Sequence, residues 1–162
     1  MRRIAVGGKG RETNAMTPTL TIERRIQFAE TDMAGVLHFS NYFRLMEEVE
    51  HAFFRSIGYG VVCELDGMTV SWPRVSATCE YYAPLRFEDE IRLVLRVTHV
   101  GNKSLSYEVE FVRGPDRVAQ GEITAICCAT GESGTFRSIP IPDVLRAPLV
   151  RAASASAKAA QR

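Results

Sequence analysis

No part of the chain approaches the roughly 18 consecutive apolar residues that a membrane-crossing helix requires. Nor does charge of one sign dominate, since 20 basic and 19 acidic side chains leave a formal charge of +1. Nucleic acid and anionic lipid are therefore poor candidates for the main partner. The four cysteines, Cys63, Cys79, Cys127 and Cys128, contain no C-x-x-C pair, which argues against a disulfide or zinc framework. They read as reduced, small apolar fillers in a cytoplasmic protein. His51 and His99 stand at no metal-ligand spacing from other His, Cys or carboxylate residues, so no metal and no cofactor are expected. There is no G-x-G-x-x-G after a strand, no P-loop and no G-x-S-x-G, which leaves nucleotide-driven chemistry and a serine hydrolase unsupported. After Arg2 and Arg3 only "IAV" follows, too short for the apolar region of a secretory signal.

What is present suits one domain: 162 residues, 46% of them hydrophobic. Residues 1–18 and the Ala/Ser-rich stretch 146–162 have little to bury, and both are expected to be flexible. The ordered domain is then 19–145. "TLTIERRIQFA" alternates as a first strand. From Ser40 the pattern turns helical, with Tyr42, Leu45, Met46, Val49, Phe53, Phe54 and Ile57 at intervals of three and four. Ser40 suits the N-cap and Gly58 the C′ position that ends the helix. Glu47, Glu48 and Glu50 fall among its solvent-type positions. The rest reads as an antiparallel meander: a long strand over 68–82 disturbed at Pro73, then "EIRLVLRVTHV", "SLSYEVEFVR", "VAQGEITAICCA" and a short "FRSIPIP". One long helix with an apolar face and a sheet able to wrap it make an α+β fold. Open sheet edges in such a fold invite pairing with a second copy.

The run "FAETDMAGVLHFSNYFRLMEE" joins the first strand to this helix: acidic-Thr-Asp, then x-x-Gly, two aliphatics, His-aromatic and x-Asn-Tyr at the helix head. It resembles the 4-hydroxybenzoyl-CoA thioesterase family of hotdog-fold acyl-CoA thioesterases. The likeness extends through "TVSWPRVSATCEYYAPLRFEDEIRL" and covers about residues 20–143. It implies a hotdog fold, an antiparallel sheet around one long central helix, and hydrolysis of an acyl- or aroyl-CoA to free acid and CoA. It also implies that Asp32 is the catalytic carboxylate, as general base or as nucleophile. A thioester carbonyl becoming an oxyanion needs preorganised donors, and free N–H groups at the helix start near Phe39, Ser40 and Asn41 supply them. Gly35, His38, Phe39, Ser40, Asn41 and Tyr42 complete the expected substrate-binding set. The resemblance further implies a homodimer or homotetramer with the site at the subunit interface.

Each residue also has a plainer reading. Asp32 alone is a turn former bonding its own backbone, His38 packs, and Asn41 and Tyr42 fix the loop and the helix start. A second lineage of these thioesterases carries its carboxylate on the central helix, which makes Glu47, Glu48 and Glu50 rivals to Asp32. Phe39, Tyr42, Phe43 and Trp72 are candidate acyl-pocket walls, and Arg74, Arg86, Lys103 and Arg137 are candidate partners for the CoA phosphates. The competing functions are a hotdog hydratase or dehydratase on acyl thioesters and a non-catalytic acyl-CoA-binding domain.

Overall fold

The computed structural model describes residues 20–130 and 134–158. The expected flexible extension at 1–18 lies outside the described residues. Strand β1 (Leu20–Arg25) leads through a short 3-10 turn at Phe28–Glu30 into helix α1 (Phe39–Ser56). Strands β2 (Val62–Leu65), β3 (Met68–Ser71), β4 (Arg74–Tyr81), β5 (Glu90–Val100), β6 (Ser104–Arg113), β7 (Asp116–Ile126), β8 (Cys128–Thr130) and β9 (Phe136–Ser138) follow, and helix α2 (Asp143–Lys158) comes last. Antiparallel pairing orders one sheet β1-β5-β6-β7-β4 and the other β2-β3-β8-β9.

The expected single strand over 68–82 is two strands in two sheets. Pro73 has no N–H to donate, so pairing stops at Trp72–Pro73 while the Pro73 carbonyl still accepts from Ile126 N at 2.9 Å. Cys127 makes the matching break between β7 and β8, its N–H going to Lys103 O at 2.7 Å. Strand β2 was not foreseen. Leu65 pairs with Met68 across Asp66 and Gly67, both at positive φ (49° and 75°), the two-residue hairpin turn that an Asp-Gly pair favours.

Helix α1 buries Tyr42, Leu45, Met46, Val49, Phe53 and Phe54 as their spacing predicts, and packs against β1, β4, β5 and β7. A fully buried side chain of this size contributes about 1.5–3 kcal/mol. Its approach to the sheet depends on Gly121 of β7, where a β-carbon would stand 2.0 Å from Met46 Sδ. The N-cap is His38, not Ser40: the ring Nδ1 accepts from Ser40 N at 3.4 Å and contacts Ser40 Oγ at 2.8 Å. Gly58, at φ 89°, follows the C-cap Ile57 as expected.

The expected flexible tail 146–162 is largely helix. Leu145 and Leu149, four residues apart on one face, are fully buried in the common core, and Arg146 donates to the carbonyls of Gly101 and Asn102 at 2.7 and 2.9 Å. These contacts hold α2 against β5 despite Pro148 within it. The helical layer therefore has two helices where one was expected. Among the described residues no helix is long and apolar enough to cross a membrane.

Candidate active site

Residues 31–37 form a small closed loop between the 3-10 turn and α1. Thr31 and Leu37 pair as an antiparallel bridge, Asp32 N donates to Val36 O at 2.9 Å, and Gly35 N donates to Asp32 O at 2.9 Å. Gly35 has φ 71°, which L side chains rarely adopt. Asp32 Oδ1 accepts from Ala34 N at 2.8 Å and from Val36 N at 3.4 Å. The turn reading of Asp32 is thus correct for one carboxylate oxygen. Oδ2 takes no hydrogen bond among the described residues.

Backbone bonds dock this loop onto the rest of the fold. Leu37 N donates to Leu85 O at 2.7 Å and His38 N to Glu30 O at 2.9 Å. Asn41, nearly buried in the first turn of α1, adds its Nδ2 to the same Glu30 carbonyl at 2.8 Å. In this structure Asn41 fixes the loop to the helix and His38 caps the helix. Ser40 is exposed and serves the cap.

Asp32, Val36, Leu37, Phe39, Tyr42, Tyr81, Tyr82, Ala83 and Pro84 surround a cleft of about 350 Å³. Of the expected set, Asp32, Phe39 and Tyr42 meet there, while Gly35, His38, Ser40 and Asn41 do not line it. The Tyr42 ring lies 4.7 Å from that of Tyr81 and 5.1 Å from that of Phe111, and burial pushes its hydroxyl up to about 12. Phe39 begins α1, so its N–H precedes the helical ladder, and it has no partner among the described residues.

Tyr81 and Tyr82 were not singled out from the sequence. Consecutive strand residues point to opposite faces, but Tyr82 N and Ala83 N both bond Val118 O, at 2.8 and 3.1 Å. That local irregularity ends β4 and lets both rings reach the cleft. The Tyr81 hydroxyl donates to Phe39 O at 3.5 Å, and the Tyr82 hydroxyl to Glu80 Oε2 at 2.9 Å, with Arg117 5.3 Å above the Tyr82 ring. Doubled tyrosines before "AP" were the available signal.

Two expected pocket walls lie elsewhere. Trp72 is buried beside Phe54 at 5.6 Å, and Phe43 packs against the core. Among the rival carboxylates, Glu47 and Glu48 are half-exposed as expected. Glu50 is not: it is fully buried and ion-paired to Arg74, with its Oε1 unpartnered. Its burial occupies it structurally, on the side of α1 that faces the sheet. The cysteines are unpaired, and burial pushes the thiols of Cys79 and Cys127 up to about 11, consistent with fillers rather than nucleophiles.

Known proteins resemble this chain in sequence and in fold. Residues 26–149 match the thioesterase-like superfamily. A putative esterase of Aquifex aeolicus is 32% identical over 117 residues, which span 72% of this chain and 88% of that protein. A 1,4-dihydroxy-2-naphthoyl-CoA hydrolase of Synechocystis is 23% identical over 126 residues, 76% of this chain and 89% of that protein. A solved gentisyl-coenzyme A thioesterase superposes with a TM-score of 0.67 at 24% identity, covering 81% of this chain and 99% of its own. The architecture is the hotdog thioesterase-like fold, and the chain belongs to the thioesterase-like superfamily, a family of thioester-cleaving enzymes.

Proposed function

We propose that the protein hydrolyses an acyl-CoA thioester, R–CO–S–CoA + H₂O giving R–COOH and CoA–SH, with Asp32 as the key carboxylate in the manner of the 4-hydroxybenzoyl-CoA thioesterase family. The observation that carries this is the half-used carboxylate: Oδ1 is held by two backbone N–H groups, Oδ2 takes no hydrogen bond among the described residues, and Asp32 lines a cleft that also receives the start of α1. With Oδ1 pinned, Oδ2 takes a proton from water attacking the carbonyl, or attacks the carbonyl itself. The carbonyl oxygen, as it gains charge, is stabilised by the free N–H at Phe39 and the positive end of α1. In the general-base route the departing thiolate receives that proton; in the nucleophilic route thiolate departure leaves an acyl–Asp32 anhydride, which water cleaves to the acid and free Asp32, one proton of that water going to the thiolate.

Four aromatic side chains, Phe39, Tyr42, Tyr81 and Tyr82, line the cleft, which favours an aromatic acyl group stacking edge-on or offset. The relatives named for naphthoyl-CoA and gentisyl-CoA point the same way. A dehydratase would need a histidine and an acid converging on the cleft, whereas His38 is engaged as a cap and His51 faces Glu47 on the outer side of α1. A cytoplasmic location, where acyl-CoA esters are made and used, belongs to the same proposal.

The cleft is open at strand β4, an unpaired sheet edge whose residues Arg74–Ser76, Ala77, Thr78 and Tyr81 are exposed. Pairing of this edge with a second copy would cover Tyr81 and complete the site, and sedimentation should give a dimer or tetramer; a fully active monomer would refute that part. The reaction is tested by thiol release over a panel of aryl- and alkyl-CoA esters. Release from aryl esters ahead of alkyl esters is expected, and release from none would overturn the reading.

A further inference from the structure

We propose that Tyr82 is the platform against which an aromatic acyl group stacks and that Arg117, outside the cleft, holds its ring in place, so that the pair sets the preference for aryl over alkyl thioesters; this rests on the acyl-CoA reading above. The four aromatic residues of the cleft are not equivalent. Tyr42 is buried, its ring against those of Tyr81 and Phe111, and Phe39 packs its ring on His38 at 4.5 Å. Tyr81 lies on the unpaired edge of β4 that a second copy would cover. Tyr82 keeps 43% of its surface exposed and is nevertheless fastened at two points.

Strand alternation places the fastenings. Tyr81, Ala119 and Phe111 form one row across β4, β7 and β6, on the face turned to α1, and Glu80, Gln120 and Glu110 form the next row, on the opposite face. Tyr82 follows Glu80 by two positions, and its hydroxyl donates to Glu80 Oε2 at 2.9 Å. Arg117 of β7 sets its guanidinium 5.3 Å from the centre of the Tyr82 ring. That guanidinium is itself seated: it donates to Gln120 Oε1 at 2.7 Å and to Glu110 Oε1 at 3.1 Å. Glu110, buried, is held in turn by Arg96 at 2.7 Å.

A cation over one face of the ring and a hydrogen bond at its hydroxyl fix both the tilt and the reach of the side chain. The rest of the ring is left for whatever enters the cleft that Tyr82 lines with Asp32. A flat acyl group gains offset or edge contacts there that a flexible alkyl chain does not. Because the side chain is already ordered, little rotamer freedom remains to be lost on binding. Arg117 is not among the residues that surround the cleft, so it acts through Tyr82 and is a positioning residue.

The test is the ratio of kcat/KM for benzoyl-CoA to that for hexanoyl-CoA, both read by thiol release on one preparation so that any unfolded fraction cancels. Tyr82→Leu should lower the ratio about three- to tenfold, the worth of one aromatic pair. Arg117→Met should lower it about threefold, and Arg117→Lys, which keeps a cation over the ring, should restore most of that loss. Adding Arg117→Met to Tyr82→Leu should lower it no further, since no ring is left to hold. A ratio unchanged by Tyr82→Leu would overturn the platform. An Arg117→Met effect that is absent, that persists in full in the double variant, or that Arg117→Lys does not relieve would overturn the role of Arg117. If wild type cleaves neither ester, the reaction reading fails, and calorimetric titration with the same two uncleaved esters then decides for Tyr82: a lower affinity ratio of benzoyl- to hexanoyl-CoA in Tyr82→Leu supports the platform, and an unchanged ratio refutes it.

Discussion

Glu50 is wholly buried on α1, and Arg74 at the start of β4 is the cation that pairs with it. The pair joins the helix to the edge strand, and the buried Tyr107 hydroxyl lies close enough for both Glu50 and Arg74 to bear on its proton affinity. Losing the cation strands a charge in that interior. Arg74→Ala should cost about 3 kcal/mol, while Glu50→Met combined with Arg74→Met should cost less than Arg74→Ala alone. Urea denaturation reads both; a double variant as damaged as the single one would show that the pair is not what matters.

Gly121 and Met46 define how closely α1 lies on the sheet. An added β-carbon at Gly121 would overlap the Met46 thioether and come within 3.1 Å of Thr78 O, and Met46 is fully buried with nowhere to swing. Gly121→Ala should therefore destabilise by about 1–3 kcal/mol. The cost should be less than additive with Met46→Ala, since the truncation vacates the contested space. Additivity within error would contradict direct contact between them.

Alkali should weaken the fold through groups whose burial raises their proton affinity. Cys79 and Cys127 rise from 9.0 to about 11, and Tyr42 from 10.0 to about 12. The native state then holds protons that the unfolded chain releases, so stability contributed by these groups is intact below pH 9 and falls as pH climbs from about 9 to about 12. Thermal melts across that range should show a falling Tm, and Cys79→Ser with Cys127→Ala should shift the onset upward. An onset unchanged by the double variant would remove the thiols from the explanation.

Much of the fold was legible because local and global signals agreed. The apolar spacing of Tyr42 to Phe54 and the alternation of Leu105 to Phe111 each had one solution, a helix and a strand facing the same core. Helix α2 was not legible, because Ala, Ser and Pro148 carry weak or adverse local preference and the helix is held by Leu145, Leu149 and Arg146 touching distant residues. Strand β2 could have been read from Asp66-Gly67. At the site, Asp32, Phe39 and Tyr42 are neighbours along the chain, so a motif sufficed to group them. Tyr81 and Tyr82 reach them only through the β4–β7 pairing, which no local pattern encodes. Glu50 misled because a carboxylate among helix charges reads as solvated, and only the position of Arg74 in space reveals the pair.

The proposed mechanism gives Asp32 two jobs that one substitution separates. Asparagine keeps an Oδ1 able to accept from Ala34 N and Val36 N, so the loop is retained, while the ionisable oxygen is lost. The most direct measurement is therefore kcat for thiol release from a good aroyl-CoA substrate by wild type and Asp32→Asn, with a thermal melt of each. If the Asp32 carboxylate carries the reaction, the two proteins share a Tm and kcat falls by about 100- to 10,000-fold in the variant. A variant that folds alike and releases CoA at the wild-type rate would contradict it.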